Sequence, residues 1–222
     1  MIYDPANGEY TPSVRTYHPR TCFLMTQLGK PVPQTITKIR AKIKKLLDDM
    51  NYALLDAGSK VTGHDFLNKI WGMILSVPIG VAIVDREMKP TAIQNVFYEI
   101  GLMQAYGKET IVIKTRGNEV PSDFVRTEYI EYSEEGWLFS REFRKFMKDC
   151  EERANHYVLM AEELRNNLVL AFDYYRRAYL ITCAGTYAWL AKKLLSEGKG
   201  GPVCPTMVRE PVVNYITEGW MV

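Results

Sequence analysis

The chain has 222 residues, with 28 Lys plus Arg against 26 Asp plus Glu, 47% hydrophobic residues and 24% charged ones. A chain this long and this apolar buries a core without disulfides or metal, and its balanced charge and aromatic content exclude a disordered protein. A formal net charge of +2 gives no global basic surface, which excludes a protein that holds nucleic acid chiefly through its overall charge.

Residues 1–20 contain Pro5, Pro12, Pro19 and Gly8 with little periodicity, so they read as an irregular arm laid over the domain or over a neighbouring subunit. Asp4 and Glu9 interrupt this stretch, and it has no apolar segment of the kind a signal peptide needs. The apolar run 21–25 enters a glycine turn, Thr26-Gln27-Leu28-Gly29, and reads as a strand. Over residues 34–55 apolar side chains recur at Ile36, Ile39, Ile43, Leu46, Leu47 and Met50, which marks one helix face. Lys38, Arg40, Lys42, Lys44 and Lys45 lie largely off that face and read as its solvated side.

Asp65 is placed to cap a helix over 66–76. The longest charge-free apolar run, residues 70–84, is fifteen residues long and holds Gly72, Pro78 and Gly80. A spanning helix needs about 20 apolar residues, so the run reads as a helix end, a turn and a buried strand at 79–84. No membrane association is expected, and the location expected is cytoplasmic. After Asp85 comes a polar loop, 86–94; Asn95 then caps a helix over 96–106, and Gly107 closes it in a left-handed turn. Residues 109–115 form another buried strand. Strands separated by helices predict an α/β fold with a parallel sheet covered on both faces.

Beyond residue 132 the pattern is helical throughout. Over 137–150, Leu138, Phe139, Phe143, Phe146 and Met147 fall on one side. Residues 156–196 contain no proline and predict one long helix, or two joined near Asn166–Asn167 or Gly185, ended by GKGGP at 198–202. The aromatic stripe at helical spacing reads as core or subunit interface. The chain divides accordingly into an arm (1–20), a ligand-binding α/β domain (21–133) and a helical region (134–222). Cys22, Cys150, Cys183 and Cys204 form no CxxC pair, and only His18, His64 and His156 are present, so no zinc site or disulfide framework is expected.

In an open parallel sheet, ligands bind outside the carboxyl ends of the strands. Three segments occupy such ends: 26–29, 85–94 and the loop starting at Lys114. A helix starting at Asn95 would aim its amides and the positive end of its dipole at that crevice. Glu99, four residues on, shares a face with Asn95. Glu99 either complements the helix dipole or serves as a crevice carboxylate that faces an anomeric carbon as a C–N bond breaks. Gly101 is costly inside a helix unless close packing or a ligand requires it.

The string 94–101 (QNVFYEIG), followed by 104–108 (QAYGK) and the strand 109–115, resembles the pattern of TIR-like nucleotide-binding proteins, relatives of nucleoside 2-deoxyribosyltransferases. The opening strand and turn at 22–29, Ile70–Trp71, Asp85, residues 120–124 (VPSDF) and residues 129–132 (YIEY) follow the same order. The resemblance covers about residues 21–133. It implies a flavodoxin-like α/β fold, a nucleotide or nucleoside ligand, and Glu99 as the catalytic carboxylate, acting as nucleophile or oxocarbenium stabiliser. By the same resemblance Thr26, Gln27 and Gly29 line the phosphate or ribose side through backbone amides, and Asp85 and Asn95 bond ribose hydroxyls or fix Glu99. The plain alternatives are a turn cap for Asp85 and a helix cap for Asn95.

Two departures from the family pattern matter. Its first turn usually reads Met-Pro-Phe-Gly, where this chain has Thr26-Gln27-Leu28-Gly29. Deoxyribosyltransferases place an acid near the start of the buried strand to handle the leaving base, whereas this chain has Gly80 at about that position. General-acid help is typically worth about 10²–10⁴-fold. Nicotinamide in NAD is already cationic and leaves without protonation, so the departure favours NAD, unless Asp65 or Asp85 supplies the proton.

The leading expectation is therefore a TIR-like N-glycosidase that uses NAD as substrate, with no cofactor, in bacterial antiviral defence or stress response. The helical region would drive homo-oligomerisation or receive an activating protein partner. A nucleoside 2-deoxyribosyltransferase or nucleoside hydrolase is the second expectation, and a non-catalytic nucleotide sensor is the third.

Overall fold

The computed structural model describes residues 2–4, 9–11, 16–57, 66–118, 128–133 and 137–197. They divide into two compact units, one of Pro19–Glu151 and one of Met1–His18 with Glu152–Val222.

The first unit is built on five parallel strands: β3 (Thr21–Met25), β4 (Ala53–Asp56), β5 (Ile79–Val84), β6 (Glu109–Thr115) and β7 (Glu128–Tyr132). Their order across the sheet is β4-β3-β5-β6-β7, all pairs parallel. Counted along the chain this is 2-1-3-4-5, the doubly wound order of flavodoxin-like folds. The three inner strands are the ones the sequence announces, because each is buried on both faces through its centre and carries an uninterrupted apolar run there. Burial also pushes the Cys22 thiol well up, so it behaves as a small core hydrophobe.

Helix α1 (Gln34–Asp49) buries Ile36, Ile39, Ile43, Leu46 and Leu47. It ends six residues short of the predicted 55, and residues 53–56 form the edge strand β4. The cause is Asn51, whose φ of 57° is left-handed; Tyr52 N–H then donates to Leu47 O at 2.9 Å and Ala53 N–H to Arg20 O at 2.8 Å. Asparagine tolerates that conformation better than most residues, and it turns the chain back alongside β3. Arg20 secures the turn, donating to Met50 O (2.6 Å), Asn51 O (3.0 Å) and Glu151 (3.1 Å) while stacking on the Tyr52 ring.

Helix α2 (Phe66–Ser76) has the predicted limits and stops two residues before Pro78; Asp65, its expected cap, lies outside the described residues. Helix α3 runs from Pro90 to Ala105, six residues earlier than predicted at its start. Proline at the first helical position loses no hydrogen bond and presets φ, so Pro90 starts the helix and Lys89 is its boundary residue. Asn95 is therefore no helix cap, and the polar loop after Asp85 ends at Lys89. Gly107, at φ 64°, closes the helix as expected.

Helix α4 (Trp137–Glu163) is longer than the predicted 137–150. Its first half buries Phe139, Phe143, Phe146, Met147 and Cys150 in the same core as the sheet. That packing carries the first unit past residue 133 to Glu151.

In the second unit, β1 (Ile2–Asp4) and β2 (Glu9–Thr11) pair antiparallel, so the N-terminal segment is not wholly irregular. Helices α5 (Leu168–Thr182) and α6 (Gly185–Glu197) follow. Both expected junctions are breaks. Asn167 caps α5 by accepting from Leu170 N–H at 3.3 Å, and Cys183 ends it in a left-handed turn with φ 59°. Tyr17, Ala161, Phe172, Tyr175, Ala191 and Leu194 share this unit's core, and Arg176 donates to the Tyr17 hydroxyl at 2.6 Å. Among the described residues no helix is long and apolar enough to cross a membrane.

Candidate active site

The order β4-β3-β5 places the reversal of winding between β3 and β5. Strands on either side of that point send their following segments in opposite directions, which leaves a crevice at their carboxyl ends. A cavity of about 290 Å³ opens there. Its walls come from the β3 exit turn (Thr26, Gln27, Leu28, Gly29), from Ile70 and Trp71 of α2, and from α3 and the residue before it, which bring Lys89, Asn95, Tyr98 and Glu99.

Of the residues singled out from the sequence, Thr26, Gln27, Gly29, Asn95 and Glu99 line this cavity. Asp85 does not. It is buried, and its Oδ1 accepts the Glu87 N–H at 2.8 Å, so it closes the turn between β5 and α3. The described residues of the loop after Lys114, up to Asn118, are not in the lining either; Asn118 donates to Val84 O and to Thr115 Oγ1.

Gln27 works as a brace. Its Nε2 donates to Gly29 O (3.1 Å) and Pro31 O (2.6 Å), and its Oε1 accepts the Lys89 N–H at 2.9 Å. The side chain thus ties the β3 exit turn to the start of α3 and satisfies an amide that the helix boundary leaves without an intrahelical partner. Both of its amide protons and one lone pair of its oxygen are thus engaged within the protein.

Glu99 sits in the third turn of α3, beyond the reach of the helix end's field. Complementing the helix dipole is therefore not its role. What dominates is burial, which raises its carboxyl from the ordinary value of 4.5 to about 7. It is the only acidic residue among the described residues that line the cavity. Near neutrality it exists as a mixture of acid and carboxylate, and an arriving cation would favour the carboxylate.

Two side-chain groups on the wall come into view only in the structure: the indole N–H of Trp71, and the hydroxyl of Thr26, a residue expected to act through its backbone amide. Trp71 Nε1 is buried on the cavity wall with no hydrogen-bond partner among the described residues, and the Thr26 hydroxyl is in the same state. A buried polar group left unpaired costs about 1–3 kcal/mol, so groups of this kind gather where a ligand or solvent completes them. Trp71 belongs to a motif noted for its resemblance alone, and only the placement of α2 beside the crevice brings its N–H into view.

Gly80 has a packing reason. A Cβ there would lie 2.7 Å from Met25 Cε and 2.9 Å from Met103 Cε. Gly101 has none, since nothing stands within 4 Å of a Cβ at that position. Among the described residues no group of three or more His, Cys, Asp or Glu is placed to hold a metal ion.

No family model matches the sequence, and no curated protein matches it. Among solved structures, a 2-deoxyribosyltransferase from the psychrotolerant bacterium Bacillus psychrosaccharolyticus shows a weak likeness, 14% identical at a TM-score of 0.40 over 50% of this chain and 86% of that one. A likeness that weak carries no weight on activity, and the fold assignment rests on the strand order itself.

Proposed function

We propose that the protein cleaves the N-ribosidic bond of a substrate whose base leaves as a neutral molecule without being protonated, the nicotinamide–ribose bond of NAD being the case in point. The observation that carries this reading is Glu99, the one carboxylate among the described residues that line the cavity, raised to about 7 by burial. One carboxyl group cannot at the same moment be the base-protonating acid and the anion that meets the developing oxocarbenium ion. A cationic pyridinium removes the need for the acid. It also stabilises the ionised form of Glu99 on arrival, because an opposite charge nearby lowers a carboxyl pKa.

In this reading Glu99 attacks the anomeric carbon or stabilises its positive charge as the C–N electron pair departs onto the ring nitrogen, and water completes hydrolysis. Asn95, one turn before Glu99 on the same face, orients the ribose, and the Trp71 N–H and Thr26 hydroxyl supply polar contacts. The family resemblance of residues 94–101 supports the same role for Glu99. An activity that depletes NAD needs restraint, and we assign that restraint and any homo-oligomerisation to the helical region, as part of a defence or stress response.

The second reading, transfer or hydrolysis of 2-deoxynucleosides, is favoured by the partly protonated state of Glu99 near neutrality, since a neutral purine leaves only with a proton. The test is a side-by-side assay of the full chain with NAD, and with a deoxynucleoside plus a free base. Nicotinamide release with no base exchange supports the first reading, while base exchange with NAD left intact replaces it by the second.

A further inference from the structure

The crevice continues past Gln27. On the far side of the β3 exit turn, between that turn and α1, lies a second cavity of about 480 Å³. Thr26, Gln27 and Leu28 line both hollows, so the turn is their common wall. The remaining polar lining of the second comes from Thr37, Arg40 and Lys44 of α1 and from Asp56 at the end of β4.

Thr26 is only 8% exposed, and its hydroxyl has no partner among the described residues. An unpaired buried hydroxyl in the shared wall points to a ligand that spans the turn.

The charges of the second lobe point to the kind of ligand. Among the described residues its lining carries two cations, Arg40 and Lys44, against one anion, Asp56. Arg40 pairs with the buried Asp56 but is itself 50% exposed. A guanidinium has five N–H donors, and a carboxylate engages two of them at most in a fork. Lys44 holds Asp48 at 2.8 Å, with both side chains more than half exposed. Exposed pairs of this kind are worth less than about 1 kcal/mol, so the ammonium is free to take a better anion. The first lobe instead offers apolar walls and a desolvated carboxylate. A nucleoside fills one lobe; a ligand with a second, phosphate-bearing half fills both, and each volume lies near the lower part of the range for small-molecule sites, roughly 300–1,000 Å³.

We infer that the second lobe holds the diphosphate-bearing half of a dinucleotide, with Arg40 and Lys44 on the phosphates, while the other half presents its N-ribosidic bond to Glu99. Which half faces Glu99 rests on the proposed N-glycosidase activity, whereas binding of the diphosphate half can be measured apart from it.

The experiment is calorimetric titration of the full-length protein with ADP, alongside nicotinamide release from NAD on the same samples. Ala41→Glu places a carboxylate in the lobe at an exposed helix position, where the fold tolerates it. Wild type should bind ADP, Glu99→Gln should bind it equally well, Lys44→Ala about fivefold more weakly and Ala41→Glu at least about tenfold more weakly. Arg40→Ala alone would remove a cationic partner of the buried Asp56, so Arg40→Ala/Asp56→Asn is the suitable variant and should also lose ADP. In the Glu99→Gln background, Ala41→Glu should weaken NAD but leave nicotinamide riboside unchanged. The inference is overturned if ADP does not bind, if Ala41→Glu binds it as wild type does, or if nicotinamide riboside weakens as much as ADP. Loss of the N-glycosidase reading shows differently: ADP binding follows the lobe variants while no nicotinamide is released.

Discussion

Replacing Glu99 by Gln tests the electrostatic setting of the site without any substrate. Burial holds this carboxyl at about 7 in the folded chain, against an ordinary value of 4.5. In the unfolded chain the group ionises near 4.5, so between that pH and about 7 the folded protein keeps a proton that the unfolded one has released. Stability therefore falls as pH rises across this window, and the loss is complete a little above 7. At about 1.4 kcal/mol per pH unit the ceiling is about 3 kcal/mol, and solvent at the cavity mouth reduces it toward about 2 kcal/mol. Glutamine cannot ionise and has nearly the same shape, so Glu99→Gln should match wild type near pH 4.5 and exceed it by about 2 kcal/mol at pH 8. Urea denaturation of both proteins at half-unit pH steps measures this directly. A constant difference between the two curves from pH 4.5 to 8 would refute the reasoning, because it would mean that Glu99 titrates as an ordinary surface carboxyl.

The same ionisation should shape catalysis: kcat/KM for NAD should rise with pH through about 7, and the limb for kcat should lie lower, since bound pyridinium favours the carboxylate. An initial-rate profile that is flat from pH 6 to 8 would contradict it. At Gly80 the intruding atoms are the mobile ends of Met25 and Met103, so Gly80→Ala should change stability by less than about 1 kcal/mol, while Gly80→Val should cost about 1–3 kcal/mol in a urea titration. Arg20→Ala removes two carbonyl contacts, the Glu151 pair and the stack on Tyr52, and should cost about 2 kcal/mol, with Arg20→Lys recovering only part because an ammonium cannot reproduce the fork.

The parallel sheet was legible where strands are buried on both faces, as in β3, β5 and β6, whose apolar runs admit few other readings. The edge strand β4 was hidden because it is four residues long and follows a helix whose apolar pattern continues into it; the left-handed Asn51 is what separates them. At α3 a good capping residue misled. Asn95 has the chemistry of a cap, yet Pro90 starts the helix, and the displaced boundary moves Glu99 from a helix end to a half-buried position in the helix interior. Its position on the cavity was readable from the four-residue spacing, but its electrostatics were not, since they come from the walls that α2 and the β3 exit turn build around it. Asp85 shows the converse: a strand-terminal acid suggests a ligand contact, and three-dimensional placement gives it to a turn.

The most direct measurement of the central claim is single-turnover release of nicotinamide from NAD by the 222-residue chain at pH 8, repeated over a range of protein concentrations so that the proposed homo-oligomerisation is sampled. Wild type should release nicotinamide and Glu99→Gln should fall by at least about a hundredfold while still binding NAD, as expected when a group acting in the transition state is lost. Equal release by the two proteins would contradict the account, and so would an absence of release, at every concentration, from a wild-type protein that binds NAD.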